Sequence, residues 1–231
     1  MVFAIVLLTF AVFIAADIAV QAREARKARA MPAPAGQVPL PWVDVLEPAG
    51  AFVDIGHTWV GLEPSGAARI GMDDFASRAM GRLDGVGLPR PGQEVHRGER
   101  LFTVRQGDRS AAFVAPLDGV VLSVNEGLGE HAEECASDAY GKGWICTLRP
   151  TNLARNLRKL LVAGEAKDWL LRELERLQAF LAARQGHALA LGEVSPDGGQ
   201  LATHPLSRAD AESWRLFEQE FLSRTEATPN A

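Results

Sequence analysis

From Trp42 to about Pro150 the chain is written in short apolar runs cut by Gly, Pro and Asp: AFVDIGHTWVGL, AARIGM, LFTV, AAFVAP, GVVLSV and WICTLRP. Runs of this length, bounded by turn formers, predict a mainly β domain. One short helix interrupts the pattern. Asp73-Asp74 caps FASRAMG and Gly81 stops it, with negative charge at the end of the helix that favours it. Within the β region, LFTVRQGDRSAAFVAPLDG (101–119) has the grammar of a hairpin. Leu101–Val104 and Ala111–Pro116 flank a polar tip, Gln106-Gly107-Asp108-Arg109, with Gly107-Asp108 as the turn.

The texture changes after Pro150. NLARNLRKLLVAG and EAKDWLLRELERLQAFLAARQG both carry helical spacing, and Leu170, Leu174, Leu177 and Leu181 form one stripe that ends before Gly186. The stripe packs on the β domain or against a partner helix. Residues 187–231 continue with two weak strands around Pro196-Asp197-Gly198. Ser207 to Asp210 then resembles a capping box before AESWRLFEQEFL. Trp214, Phe217 and Phe221 give that last helix an apolar face. A helix this short does not stabilise itself, so the face buries against its own domain or anchors in a partner groove. These three residues are the candidate partner-binding set.

Ahead of the β region, Val2 to Ala16 holds no charge, and continuing to Ala22 gives a segment long enough to span a bilayer. No Lys or Arg precedes it after Met1. Arg23, Arg26, Lys27 and Arg29 follow. The positive-inside rule then predicts a single-pass anchor in the inner (cytoplasmic) membrane with the body facing the cytoplasm. The alternative is a cleavable signal peptide ending at Val20-Gln21-Ala22. The expected domains are therefore an anchor (1–22), a basic then Pro/Ala-rich linker (23–41), a β domain with helices (42–186) and an extension (187–231).

A net charge of −5 gives no reason to expect a nucleic-acid partner. The cysteines, Cys135 and Cys146, number two, too few for a disulfide scaffold or a cysteine-rich metal site, and read as reduced thiols. His57, Trp59 and Tyr140 read as core or capping residues. His96, His131, His187 and His204 show no metal-ligand spacing. Nucleophile, phosphate-loop and His-Glu-x-x-His motifs are missing from the sequence. The expectation is a non-enzyme with no cofactor and no metal.

Several motifs, in order, resemble the glycine cleavage system H protein family. They are His57 and Trp59; Gly71 to Ala76; Leu88-Pro89, Gly92, Val95 and Gly98; Pro116, Gly119, Val120 and Val121; Asn125-Glu126; and Tyr140-Gly141-Lys142-Gly143-Trp144. The resemblance covers roughly residues 52 to 175. It implies a barrel-sandwich hybrid of two antiparallel sheets, a lipoyl-like domain. In carriers of that family the hairpin reads Glu-Ser-x-Lys, with lipoate on the lysine. Counting back from Pro116, those positions fall on Arg105, Gln106, Gly107 and Asp108, and a one-residue shift brings in Arg109. None of these can form the lipoyl amide. The leading expectation is a membrane-anchored, non-lipoylated scaffold that binds proteins in a membrane-associated complex. The alternatives are a covalent lipoyl or acyl carrier using an atypical lysine, although Lys142, Lys159 and Lys167 lie in other segments and are not expected to face a lipoyl ligase, and a periplasmic export-pump adaptor.

Overall fold

The computed structural model describes residues 50–184, 204–207 and 209–224. Strands β1 (Phe52–Asp54), β2 (Thr58–Leu62) and β3 (Ala68–Met72) form an antiparallel meander. Helix α1 (Asp74–Met80) begins and ends where the sequence predicts. Asp73 Oδ1 accepts from the Ala76 N–H at 2.9 Å, and Gly81, at φ +78°, donates its N–H to Ser77 O.

Strands β4 (Gly85–Gly87), β5 (Glu94–Val95), β6 (Arg100–Gln106), β7 (Arg109–Val114) and β8 (Gly119–Val124) follow. After a short helix α2 (Glu134–Ser137) come β9 (Trp144–Pro150), α3 (Leu153–Leu157) and β10 (Leu161–Val162). Two antiparallel sheets result, a seven-stranded one in the order β10-β1-β2-β3-β9-β8-β5 and a three-stranded one in the order β4-β6-β7. Their apolar sides share one core, in which Phe102 and Phe113 stack at 4.8 Å across the hairpin. The expected mainly β fold with helices at its C-terminal end is therefore present.

Helix α4 (Gly164–Arg184) buries Leu170, Leu174, Leu177 and Leu181 together with Trp169 and Phe180. The leucine stripe packs on the chain's own core, not on a partner helix. Helix α5 (Ala211–Phe217) runs on into a wider π-type turn, Glu218–Leu222. Its cap is Asp210, whose Oδ1 accepts from the Ser213 N–H at 2.7 Å. The expected cap at Ser207 is displaced because residues 204–207 form a turn, with the Ser207 hydroxyl donating to His204 O.

Trp214, Phe217 and Phe221 are 2%, 0% and 1% exposed. The apolar face read as a partner anchor thus has an intramolecular home: Phe221 packs 6.0 Å from Phe75, and Phe180 meets it edge-on at 5.7 Å. The described residues, 50–184, 204–207 and 209–224, belong to one compact unit, and the described part of the C-terminal extension is part of it. The strands expected around Pro196-Asp197-Gly198 and the anchor expected over 1–22 lie outside the described residues. Among the described residues, no helix is long and apolar enough to cross a membrane.

Candidate functional site: the tethered hairpin tip

The β6–β7 hairpin closes with the pair Gln106↔Arg109, leaving Gly107-Asp108 as a two-residue loop. Gly107 has φ +58°, as the first position of a type II′ loop requires. Its N–H donates to Asp84 Oδ2 at 2.6 Å, while the Asp84 N–H donates to Arg105 O at 2.8 Å. Arg105 is exposed but lies flat across Gly85, where an added Cβ would come within 2.6 Å of Nη2.

Gln106 and Arg109 do most to fix the tip. Gln106 is buried and its Nε2 donates to Met80 O (2.9 Å) and Arg82 O (2.7 Å), the carbonyls at the end of α1. Its Oε1 accepts from Arg109 Nη2 at 2.7 Å. Arg109 in turn donates to the carbonyls of Leu206 (3.0 Å), Ala209 (2.7 Å) and Ser207 (2.9 Å), and its guanidinium sits 4.8 Å from the centre of the Trp214 ring. Strand β7 is an edge of its sheet, so its outward backbone groups need partners. Trp214 Nε1 donates to Ser110 O at 2.8 Å, and Glu218 Oε1 accepts from the Ala112 N–H at 2.7 Å.

Of the five tip residues singled out from the sequence, the structure recruits Gln106 and Arg109 into this tether, with Arg109 half-buried. Arg105, Gly107 and Asp108 remain exposed. Asp108 presents a carboxylate at the turn, and residues 101–119 contain no lysine. An amide-linked group requires a side-chain amine, and the tip supplies a guanidinium, an amide and a carboxylate instead.

A second cluster lies under the same C-terminal segment. His57 has φ +59°, rare for a residue with a side chain, and is fully buried. Its Nδ1 pairs with Asp73 Oδ2 at 2.8 Å, and its ring stacks on Phe75 at 4.3 Å. Nε2 has no hydrogen-bond partner and lies 4.0 Å from Glu173 Oε2. Glu173 is held by Arg176 and, at 3.0 Å, by Arg224 Nη1.

An Asp–His–Glu line has the elements of a proton relay. Here His57 and Asp73 are 0% exposed and Glu173 3%, so among the described residues the line is closed off from solvent. The remaining motif residues join this knot. Trp59 Nε1 donates to Ala139 O at 2.9 Å, and the Asp74 N–H donates to Tyr140 Oη at 3.2 Å. A Cβ on Gly71 would come 2.5 Å from Trp59 Nε1, so the indole requires glycine beside it. Burial, with the Asp73 charge adding to it, pushes the Tyr140 hydroxyl far above its usual range. Cys135 and Cys146 are free and buried, and desolvation pushes both thiols up to about 12. Among the described residues no group of His, Cys, Asp and Glu could hold a metal ion.

Comparison with known proteins places these motifs in a common frame. The family model for the glycine cleavage H-protein matches residues 52–173. The probable glycine cleavage system H protein of Pyrococcus horikoshii is 32% identical over 121 residues, 52% of this chain and 90% of that protein. The glycine cleavage system H protein of Shewanella halifaxensis is 36% identical over 98 residues, 42% of this chain and 76% of the relative. A crystal structure of a glycine cleavage system H protein from Mycobacterium marinum aligns at 29% identity with a TM-score of 0.45. The alignment covers 50% of this chain and 92% of that one.

Proposed function

The chain belongs to the glycine cleavage H-protein family, and on that premise we propose that it is a non-catalytic protein-binding module whose hairpin carries no lipoate. The observation that carries this reading is the tip. Its turn is Gly107-Asp108, no lysine lies between residues 101 and 119, and Gln106 and Arg109 bind it to neighbouring backbone on both sides. A carrier arm needs an amine to hold it and freedom to swing, and this tip offers neither.

The membrane-associated setting rests on the apolar segment 2–16 and the basic residues behind it. Alkaline phosphatase fused after Ala231 tests the orientation. The fusion should be inactive, and activity would place the body outside the cytoplasm and favour the export-adaptor reading.

A second reading has a specific observation in its favour. The relatives are named as glycine cleavage system H proteins, and those names speak for a covalent carrier and not for a scaffold or a membrane role. A carrier would have to use a lysine outside the hairpin. Lys142 is the best placed, with a side chain 75% exposed in the turn between α2 and β9 and Nζ 3.8 Å from Glu134 Oε1. Expression with lipoate and an active ligase, followed by peptide mapping, separates the two readings. Unmodified Lys142, Lys159 and Lys167 support the module; an adduct on any of them supports the carrier.

A further inference from the structure

The three-stranded sheet carries a polar cleft of about 340 Å³, lined by Arg90, Gln93, Arg100 and Thr103 among others. Backbone fixes both of its walls. Pro91 and Gly92, the latter at φ +83°, fit the centre of a type II turn, which the Gln93 N–H closes on Arg90 O at 3.0 Å. Gln93 Oε1 accepts from the Arg90 N–H at 3.1 Å. Strand β8 pins this turn: the Gly92 N–H donates to Val121 O at 2.8 Å, and the Val121 N–H donates to Gln93 O at 2.9 Å. On the other wall, the register of β6 shifts between Arg100 and Phe102. Leu101 and Phe102 are both buried, so the bulge turns Arg100 to the same side as Thr103 and Arg105. Gly85 and Ser110 flank Arg105 across the sheet, and Gly87 and Ala112 flank Thr103, so this side is low between the arginines. The Thr103 hydroxyl lies where a Cβ on Gly87 would be.

Arg90, Arg100 and Arg105 are exposed, and among the described residues none of their guanidinium groups has an ion pair or hydrogen bond. The acids beside them are engaged by backbone. Glu99 Oε2 accepts from the His96 N–H at 2.9 Å, and Asp84 Oδ2 from the Gly107 N–H at 2.6 Å. In a chain of net charge −5, this side of the small sheet presents three cations that no side chain neutralises. We propose that it is a docking surface for an extended acidic segment of a partner protein. One carboxylate sits in the cleft between Arg90 and Arg100, and a second, four residues along the partner, sits on Arg105. This rests on the protein-binding reading and specifies the partner's chemistry. A guanidinium matches a carboxylate through two parallel bonds, which makes arginine the fitting residue for such a contact. Arg100 and Arg105 lie within about 17 Å along β6, and an extended partner sets i and i+4 on one side about 13 Å apart, a gap the arginine side chains span.

The test uses the full chain and a fluorescein-labelled Glu-Ser-Val-Ser-Glu peptide, followed by anisotropy at low ionic strength. Binding should saturate, and a Gln-Ser-Val-Ser-Gln peptide should bind at least about tenfold more weakly. Arg90→Gln with Arg100→Gln should weaken binding of the acidic peptide by at least about tenfold, and Arg105→Gln alone by a smaller factor. Arg155→Gln with Arg158→Gln removes two exposed charges at α3, outside this sheet, and should change binding less than about twofold. Absence of saturable binding overturns the proposal, as does equal binding of the two peptides. An equal loss from the α3 pair also overturns it, since the attraction would then be general charge and not this surface. Tighter binding to phosphatidylserine vesicles than to the peptide, lost on Arg90→Gln with Arg100→Gln, assigns the arginines to a membrane surface and overturns the partner reading. A dimer of the free chain that the peptide dissociates assigns them to a second copy, with the same result. The lipoylation assay addresses the module reading separately: a lipoylated chain that binds the peptide loses that reading alone, and an unmodified chain that ignores the peptide loses only this surface.

Discussion

The guanidinium of Arg109 lies 4.8 Å from the centre of the Trp214 ring, while Trp214 Nε1 reaches past it to Ser110 O at 2.8 Å. The hairpin tip and the C-terminal helix therefore hold each other. Each supplies a donor to the other's backbone, and a cation–π contact lies between.

Arg109→Ala removes the donors to Leu206, Ser207 and Ala209 and the stack on Trp214. The site is half-buried, so the expected loss is about 2 kcal/mol, not the sum of the separate bonds. In a domain of this size that is a fall in Tm of roughly 4–8 °C by differential scanning calorimetry. Arg109→Lys should not recover it, because an ammonium lacks the planar fork that reaches three carbonyls and covers a ring. A lysine variant as stable as wild type would show that charge, not geometry, holds the tip.

Asp73 caps α1 with one carboxylate oxygen and holds His57 Nδ1 with the other. Asp73→Ala loses the cap and leaves a buried imidazole nitrogen without its partner, for about 3 kcal/mol in chemical denaturation. Asp73→Asn keeps an oxygen for one role and an amide for the other, and should cost about 1 kcal/mol.

These elements differ in how far the sequence reveals them. The α1 caps, the 107–108 turn and the leucine stripe of α4 were legible because each follows a local rule of spacing or residue type. The apolar face of Trp214, Phe217 and Phe221 was legible as a face, but not what it would cover. The tether was invisible. Gln106 and Arg109 bind the carbonyls of residues 80, 82, 206, 207 and 209, and main-chain acceptors leave no mark in a sequence. The cap shifts from Ser207 to Asp210 for a related reason: Arg109 holds the carbonyls of 206, 207 and 209 in a turn, so the helix begins only after them.

Burial raises the thiols of Cys135 and Cys146 from 9.0 to about 12. Between those values the unfolded chain releases protons that the folded chain retains. The unfolded state then binds fewer protons, and folding stability falls as pH rises. This contribution is fully present below pH 9.0 and declines toward about 12. Stability against urea should drop over that window, and a Cys135→Ala, Cys146→Ala chain should lose less. At pH 8 a thiol-reactive probe should label native protein only through opening, and labelling as fast as in denaturant would contradict the burial.

Asp108→Lys places an amine on the exposed turn at little structural cost, within about 0.5 kcal/mol. It should still be modified sub-stoichiometrically by a lipoyl ligase. Arg105 puts positive charge where the carriers keep an acid, and the tip stays tied through Gln106 and Arg109. Adding Arg105→Glu should raise the modified fraction. Complete lipoylation of the single variant would show that the surroundings of the turn do not matter.

The non-carrier reading is tested most directly by intact mass spectrometry of the full chain, purified after expression with lipoate and an active ligase. The account predicts a single species at the mass of the unmodified polypeptide. A stoichiometric lipoyl adduct, on Lys142 or any other lysine, would contradict it.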